Sequence, residues 1–199
     1  MRITAYPLGQ LQTNCYLLVK NKECILIDPA DDASFLLEEI SRQNVSLVGM
    51  LATHGHFDHV MATGEIQLSL KIPLYIHAKD IFLIERLGET AKYFLGYEPH
   101  VIQPTILRNL QEGEFQIKNF KFKITSTPGH TPGGCSFYFF DEQAVFTGDT
   151  LFRKGIGRTD LSYSNEQDLQ KSLQKIFALP EETVVYPGHG EETVIMNEK

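Results

Sequence analysis

Tryptophan is absent from this chain, and cysteine occurs only three times in 199 residues. Cys15, Cys24 and Cys135 are odd in number, widely spaced and form no C-x-x-C pair. That pattern excludes a disulfide framework and a cysteine metal site, and leaves reduced, mostly buried thiols. No stretch approaches the roughly 20 apolar residues of a membrane span, and residues 1–7 lack the apolar core of a signal peptide. A cytoplasmic protein with no membrane partner is the expectation. Positive charge is also scarce. Lys and Arg number 18 against 25 Asp and Glu, for a formal charge of −7, so the basic face that a nucleic-acid partner needs is not expected.

What the chain does have is apolar residues, at 42%, which argues against disorder. The length suffices for one substantial core, and no linker divides it, so a single domain over 1–199 is expected. Residues 2–8, 13–20 and 24–28 have the composition of successive strands separated by turns at 9–12 and 21–22, so the chain opens as a β meander. Ala33, Leu36, Leu37 and Ile40 then recur at helical spacing, with Asp31 or Asp32 available as a cap. Residues 45–51 form a continuous apolar run, as in a strand buried on both faces.

Further along, 60–70 has the composition of a helix, 71–76 of a strand and 78–87 of another helix, whereas 88–113 is the least patterned stretch and the candidate for a variable loop or lid. Alternation returns at Phe115, Ile117, Phe120, Phe122 and Ile124, a hairpin turning at Lys118-Asn119. Strands at 135–140 and 144–147 precede a helix at 166–178, whose apolar face is Leu169, Leu173, Ile176 and Phe177, and a last strand at 182–186. Two β-sheets packed face to face with helices outside fit this order.

Histidine is distributed very unevenly. Three of the seven fall within Thr53-His54-Gly55-His56-Phe57-Asp58-His59, and two more stand in Gly129-His130-Thr131 and Gly188-His189-Gly190. Thr147-Gly148-Asp149-Thr150 has the same form, a ligand-type side chain beside glycine in a tight turn after a strand-like run. In the first cluster alternation puts His54, His56 and Asp58 on one side and points His59 elsewhere, so one loop can feed two neighbouring ions. Five histidines and two aspartates are enough for two divalent metals, and imidazole nitrogen with carboxylate oxygen suits Zn²⁺, Fe or Mn²⁺.

These residues, in this order, resemble the metallo-β-lactamase superfamily: T-H-G-H-F-D-H at 53–59, G-H at 129–130, G-D-T at 148–150 and G-H-G at 188–190, with Leu26-Ile27-Asp28-Pro29 as its early strand-end aspartate. The resemblance implies an α+β fold, an αββα sandwich of two mixed sheets flanked by helices. Residues 146–152 and 155–161 narrow the likeness to the short, single-domain glyoxalase II-like group. True β-lactamases of the superfamily commonly place a cysteine where this chain has Asp149, which disfavours a β-lactam substrate. Carried over, the resemblance implies that His54, His56 and His130 bind one metal, most simply Zn²⁺, that Asp58, His59 and His189 bind a second, and that Asp149 bridges them, with Asp58 and Asp149 catalytic in that sense.

The implied activity is metal-dependent hydrolysis of a small-molecule thioester such as S-lactoylglutathione, through a metal-bound hydroxide. The alternative is a persulfide dioxygenase of the same superfamily, holding a single iron through His54, His130 and Asp149. Two-domain glyoxalase II enzymes carry a C-terminal helical domain that helps bind glutathione. Ten residues follow His189 here, so that domain is not expected. The glutathione-contacting lysine of those enzymes falls near Arg158, their tyrosine two positions later is Asp160 here, and the aromatic after the last histidine is missing from Gly190-Glu191-Glu192.

Other candidates have plainer readings. Asp28, before proline at a strand end, is expected to support the His54 loop rather than to react. His77 and His100 lack a glycine turn and are expected not to bind metal. Tyr93, Phe94 and Tyr97 more simply pack a helix than wall a pocket. Arg158 has two readings of equal standing, a structural one in which it caps a helix or pairs with Asp160, and a contact to a substrate carboxylate.

Overall fold

The computed structural model describes all residues, Met1–Lys199. Three strands, β1 (Arg2–Leu8), β2 (Thr13–Lys20) and β3 (Glu23–Ile27), pair antiparallel in sequence order, giving the expected meander. Helix α1 (Ala33–Arg42) follows, its Asp32 cap accepting from the Phe35 amide. β4 (Ser46–Leu51) then lies parallel to β3. Next come α2 (Phe57–Val60), α3 (Thr63–Leu70) and β5 (Leu74–His77), then α4 (Ile81–Glu85), α5 (Leu87–Leu95) and β6 (Leu107–Leu110). β1 to β6 form one sheet in sequence order, its β3 to β6 half parallel.

The second sheet is built from β7 (Gly113–Ile117), β8 (Phe120–Ser126), β9 (Cys135–Phe139) and β10 (Ala144–Gly148), paired antiparallel as neighbours. A two-stranded ribbon of β11 (Leu151–Phe152) and β12 (Gly155–Ile156) precedes α6 (Glu166–Phe177). β13 (Val184–Pro187) then joins β10 in parallel, and β14 (Thr193–Val194) closes that edge. The spatial order is β14-β13-β10-β9-β8-β7.

Strand alternation explains the layering. Along β2, Cys15 and Leu17 face the helices while Tyr16 and Leu18 face the second sheet, so β2 is apolar on both faces. Phe120, Phe122 and Ile124 of β8 turn inward to Phe137, Phe139 and Phe146, and Lys121 and Lys123 turn out to solvent. Tyr138, Val145 and Val185 use the opposite face to bury the apolar side of α6 at Leu169, Leu173 and Ile176. The result is the αββα sandwich implied by the resemblance. All three cysteines are buried and unpaired. No helix is long and apolar enough to cross a membrane.

One expectation fails. The stretch 88–113 is not a structureless loop or lid, since it contains most of α5 and all of β6. Leu87 and Ala91, one helical turn apart, bury α5 against the first sheet, and β6 completes that sheet beside β5.

Candidate metal centre

The ligand-type residues arrive at one edge of the sandwich from four strand ends: β4 leads to His54, His56, Asp58 and His59, β8 to His130, β10 to Asp149 and β13 to His189. His54 Nε2 and His130 Nε2 each lie 3.0 Å from His56 Nδ1. Beside this trio, Asp58 Oδ2 lies 3.6 Å from His59 Nε2 and 3.3 Å from His189 Nε2. Asp149 stands between the two groups. Its Oδ2 is 3.5 Å from His130 Nε2 and 3.7 Å from His189 Nε2, and its Oδ1 is 3.3 Å from His59 Nε2. Glycines make this crowding possible. A Cβ on Gly188 would strike Asp149 Oδ1 and come within 2.7 Å of the His59 ring, and Gly148, at φ +50°, packs its bare α-carbon on Thr53.

Each histidine is held by its other nitrogen. His59 Nδ1 meets Asp28 Oδ2 at 2.9 Å. His130 Nδ1 meets the Arg158 carbonyl at 2.9 Å, and His189 Nδ1 the Leu11 carbonyl at 3.1 Å. His56 Nε2 is 2.8 Å from the Tyr163 hydroxyl. Thr53 Oγ1 donates to Asp28 Oδ2 at 2.8 Å, so its oxygen is free to accept from His54 Nδ1 at 3.1 Å. Protons placed on these outer nitrogens leave five imidazole lone pairs turned inward, the arrangement in which metal-binding histidines are oriented.

Electrostatics separate the groups. Burial carries the His54 imidazole well below its ordinary pKa and His56 down to about 3, with the neighbouring imidazoles adding to the effect. At His59 burial works in the same direction, but Asp58, Asp149 and Asp28 outweigh it and hold the ring well above that value. His189 is raised likewise, its bond to Asp58 overcoming burial. Burial pushes Asp58 and Asp149 up, yet both sit below the usual carboxylate range because His59 and its neighbours favour the anion. The carboxylates therefore draw positive charge to this point, whether a proton or a metal cation carries it.

A cation also answers an otherwise unexplained cost. His59 Nε2 and Asp149 Oδ1 are buried without any hydrogen-bond partner, a state that usually costs about 1–3 kcal/mol per group. Ligand atoms at about 2.0–2.1 Å from a tetrahedral ion lie about 3.4 Å apart, close to the spacings here. Three sets, His54 with His56 and His130, His54 with His59 and Asp149, and Asp58 with His59 and His189, each bring their donor atoms within 4.8 Å of one another. The donor set and its spacing fit a dinuclear centre.

A match to the Metallo-beta-lactamase superfamily spans residues 8–189. The chain belongs to that superfamily. Among superfamily members it is 36% identical to "Hydroxyacylglutathione hydrolase GloC" of Haemophilus influenzae, an alignment covering all of this chain and 95% of the relative. The solved structure of "BLEG-1 B3 metallo-beta-lactamase" superposes with a TM-score of 0.91 at 35% identity, covering 98% of this chain and 95% of that one. "TTHA1623 in a di-iron-bound form" gives 0.90 at 35% identity, covering 98% and 96%. Family membership, the His/Asp clusters and these relatives identify a metal-dependent hydrolase.

All seven residues singled out in the sequence converge on this centre, and His77 and His100 stand outside the clusters. Asp28 does brace the His54 loop, accepting from the Thr53 amide at 2.7 Å as well as from its hydroxyl. Arg158 pairs with Asp160, Nε and Nη2 reaching its two oxygens at 2.6 and 2.7 Å, and it also borders the cleft over the centre. Phe94 departs from expectation: it stacks on Phe57 at 5.9 Å and lines that cleft.

Three supports are new. Thr13 Oγ1 donates to Asp58 Oδ2 at 2.8 Å, and Tyr163 holds His56. Asp80, fully buried, accepts from the Gly55 amide (2.9 Å), the Thr131 hydroxyl (2.7 Å) and the Gly133 amide (2.6 Å). It ties the His54–His56 turn to the His130 turn.

Proposed function

We propose that this protein is a dinuclear metallohydrolase of small acyl thioesters, of which S-lactoylglutathione is the reference substrate. His54, His56 and His130 hold one ion, Asp58, His59 and His189 the second, and Asp149 is shared. Zn²⁺ suits the donors best, with Fe and Mn²⁺ compatible. The observation that carries this reading is the position of Asp149, its two oxygens directed at histidines of both groups, among five imidazoles whose outer nitrogens are all engaged. The similarity to GloC supports the thioester, and the similarity to a di-iron structure supports two ions.

When bound, such a pair of ions supplies a strongly acidified water and polarises a carbonyl. The chain's own residues do the rest. Asp149 and Asp58 bring negative charge that keeps the cations together. Thr13 fixes the Asp58 carboxylate, and Asp28, Asp80 and Tyr163 keep the imidazoles aimed inward. A cleft of about 390 Å³ opens over His56, His130, Asp149 and His189 and admits a small substrate.

The test is metal analysis of protein purified without added metal, together with hydrolysis of S-lactoylglutathione after loading with Zn²⁺, Mn²⁺ or Fe²⁺. Two ions per chain and metal-dependent thioester hydrolysis are expected. One iron per chain with oxygen uptake on glutathione persulfide replaces the hydrolase with the dioxygenase. Because the chain is also similar to BLEG-1, a chromogenic β-lactam belongs in the same panel. Its cleavage in preference to the thioester overturns the substrate class.

A further inference from the structure

We infer that the cleft over the metal centre selects thioesters by an apolar acyl chain, carried on a thiol without carboxylates. This rests on the thioesterase reading and deepens it. Leu11, Phe57, Phe94 and Leu161 wall the cleft away from the ligand residues. Phe94 stacks on the buried Phe57 with an interplanar angle of 15°, so Phe57 fixes the orientation of the exposed Phe94 ring at the cleft. Leu11 and Phe94 remain 45% and 46% exposed, and Tyr97, 48% exposed, extends the surface through a hollow that shares Leu11 and Phe57 with the cleft. Large apolar side chains left uncovered beside a reactive centre mark where a ligand buries its own apolar surface.

Charge points the same way. Arg158 is the one Lys or Arg bordering the cleft, and two of its donors are already engaged by Asp160. Glutathione brings two carboxylates, and the cleft has no unpaired side-chain cation to receive them. A neutral carrier loses nothing by this, and an alkyl chain gains from every methylene laid against Leu11 and Phe94. In the reaction, water adds its oxygen to the acyl carbon, the carbon–sulfur bond breaks, and the thiolate leaves and takes up a proton, giving the carboxylic acid and the free thiol.

The experiment compares kcat/KM for acetyl, butanoyl and hexanoyl thioesters of N-acetylcysteamine, with S-lactoylglutathione alongside, on metal-loaded protein. A rise of roughly fourfold per methylene is expected until the wall is filled. Phe94→Ala should reduce the hexanoyl rate several-fold more than the acetyl rate, and Arg158→Ala should affect the whole series evenly. A flat or falling series, with S-lactoylglutathione the best substrate, overturns the inference and leaves the thioesterase intact.

A binding arm separates the two ideas. The loaded protein is titrated with acetate, butanoate and hexanoate by calorimetry. Tighter binding with chain length, lost in Phe94→Ala, supports the apolar wall even if no thioester is cleaved, in which case the thioesterase reading fails alone. Equal affinity for the three acids removes the wall.

Discussion

The two halves of the centre are braced in different ways. His54, His56 and His130 belong to two turns, one from each sheet, joined by the buried side chain of Asp80 and by one main-chain bond, from the Cys135 amide to the Thr53 carbonyl at 2.7 Å. In the other half His189 is tied to β2 largely by main chain, and the Thr13 hydroxyl carries the link on to Asp58. The Asn14 amide donates to the Gly188 carbonyl at 2.7 Å, Thr13 pairs with His189 as an isolated bridge, and the Tyr16 hydroxyl reaches the Pro187 carbonyl at 2.6 Å. Yet this half reaches solvent at His189, whose side chain is 30% exposed, while His59 beside it is fully buried. The first half thus relies on one substitutable side chain, Asp80, for three of its cross-links, whereas His189 is held by strand pairing that most substitutions leave alone.

Removing what the halves share has the largest expected effect. Asp149→Ala should lower activity by several orders of magnitude and reduce metal content in both halves. Two retained ions with near-normal turnover would remove its bridging role. Asp58→Ala should instead empty only the second half, read as one ion per chain by elemental analysis with residual activity above that of Asp149→Ala. Loss of both ions would show that the halves fill together.

Asp80→Ala breaks the brace of the first half without touching a ligand, and metal affinity there should fall roughly 10–100-fold. Three buried donors also lose their acceptor, at about 1–3 kcal/mol each if left unpaired, so the melting temperature should drop. An unchanged metal titration in a folded Asp80→Ala protein would dispose of the brace. The smallest effect belongs to Thr13→Val. It deletes one hydrogen bond to Asp58, which keeps its contacts with His59 and His189, and it strands no buried donor. A modest weakening of the second ion alone is expected, and a loss as large as that of Asp80→Ala would erase the contrast between the halves.

These braces mark the limit of what the sequence can disclose. The ligands announce themselves because each is a polar residue beside glycine after an apolar strand, and the strands announce themselves by alternation. Asp80 does neither. It sits in His77-Ala78-Lys79-Asp80 with no local pattern, and its three donors lie 25, 51 and 53 positions away, so only folding reveals the cluster. The α5 region was obscured for a different reason. Its apolar residues serve two surfaces, Leu87 and Ala91 the core and Tyr93 and Phe94 the solvent side, which blurs the helical period, and Gly88 weakens the propensity further. β6 is only four residues long with Arg108 and Asn109 exposed at its middle, too short for alternation to register.

The carbonyls of Leu11 and Arg158 carry a consequence for substitution. Both residues offer side chains to the cleft, but the histidines they orient, His189 and His130, are gripped by their backbone oxygens. A carbonyl survives any replacement of its own side chain. A replacement at either position can therefore change what lines the cleft while leaving in place the acceptor that orients its histidine.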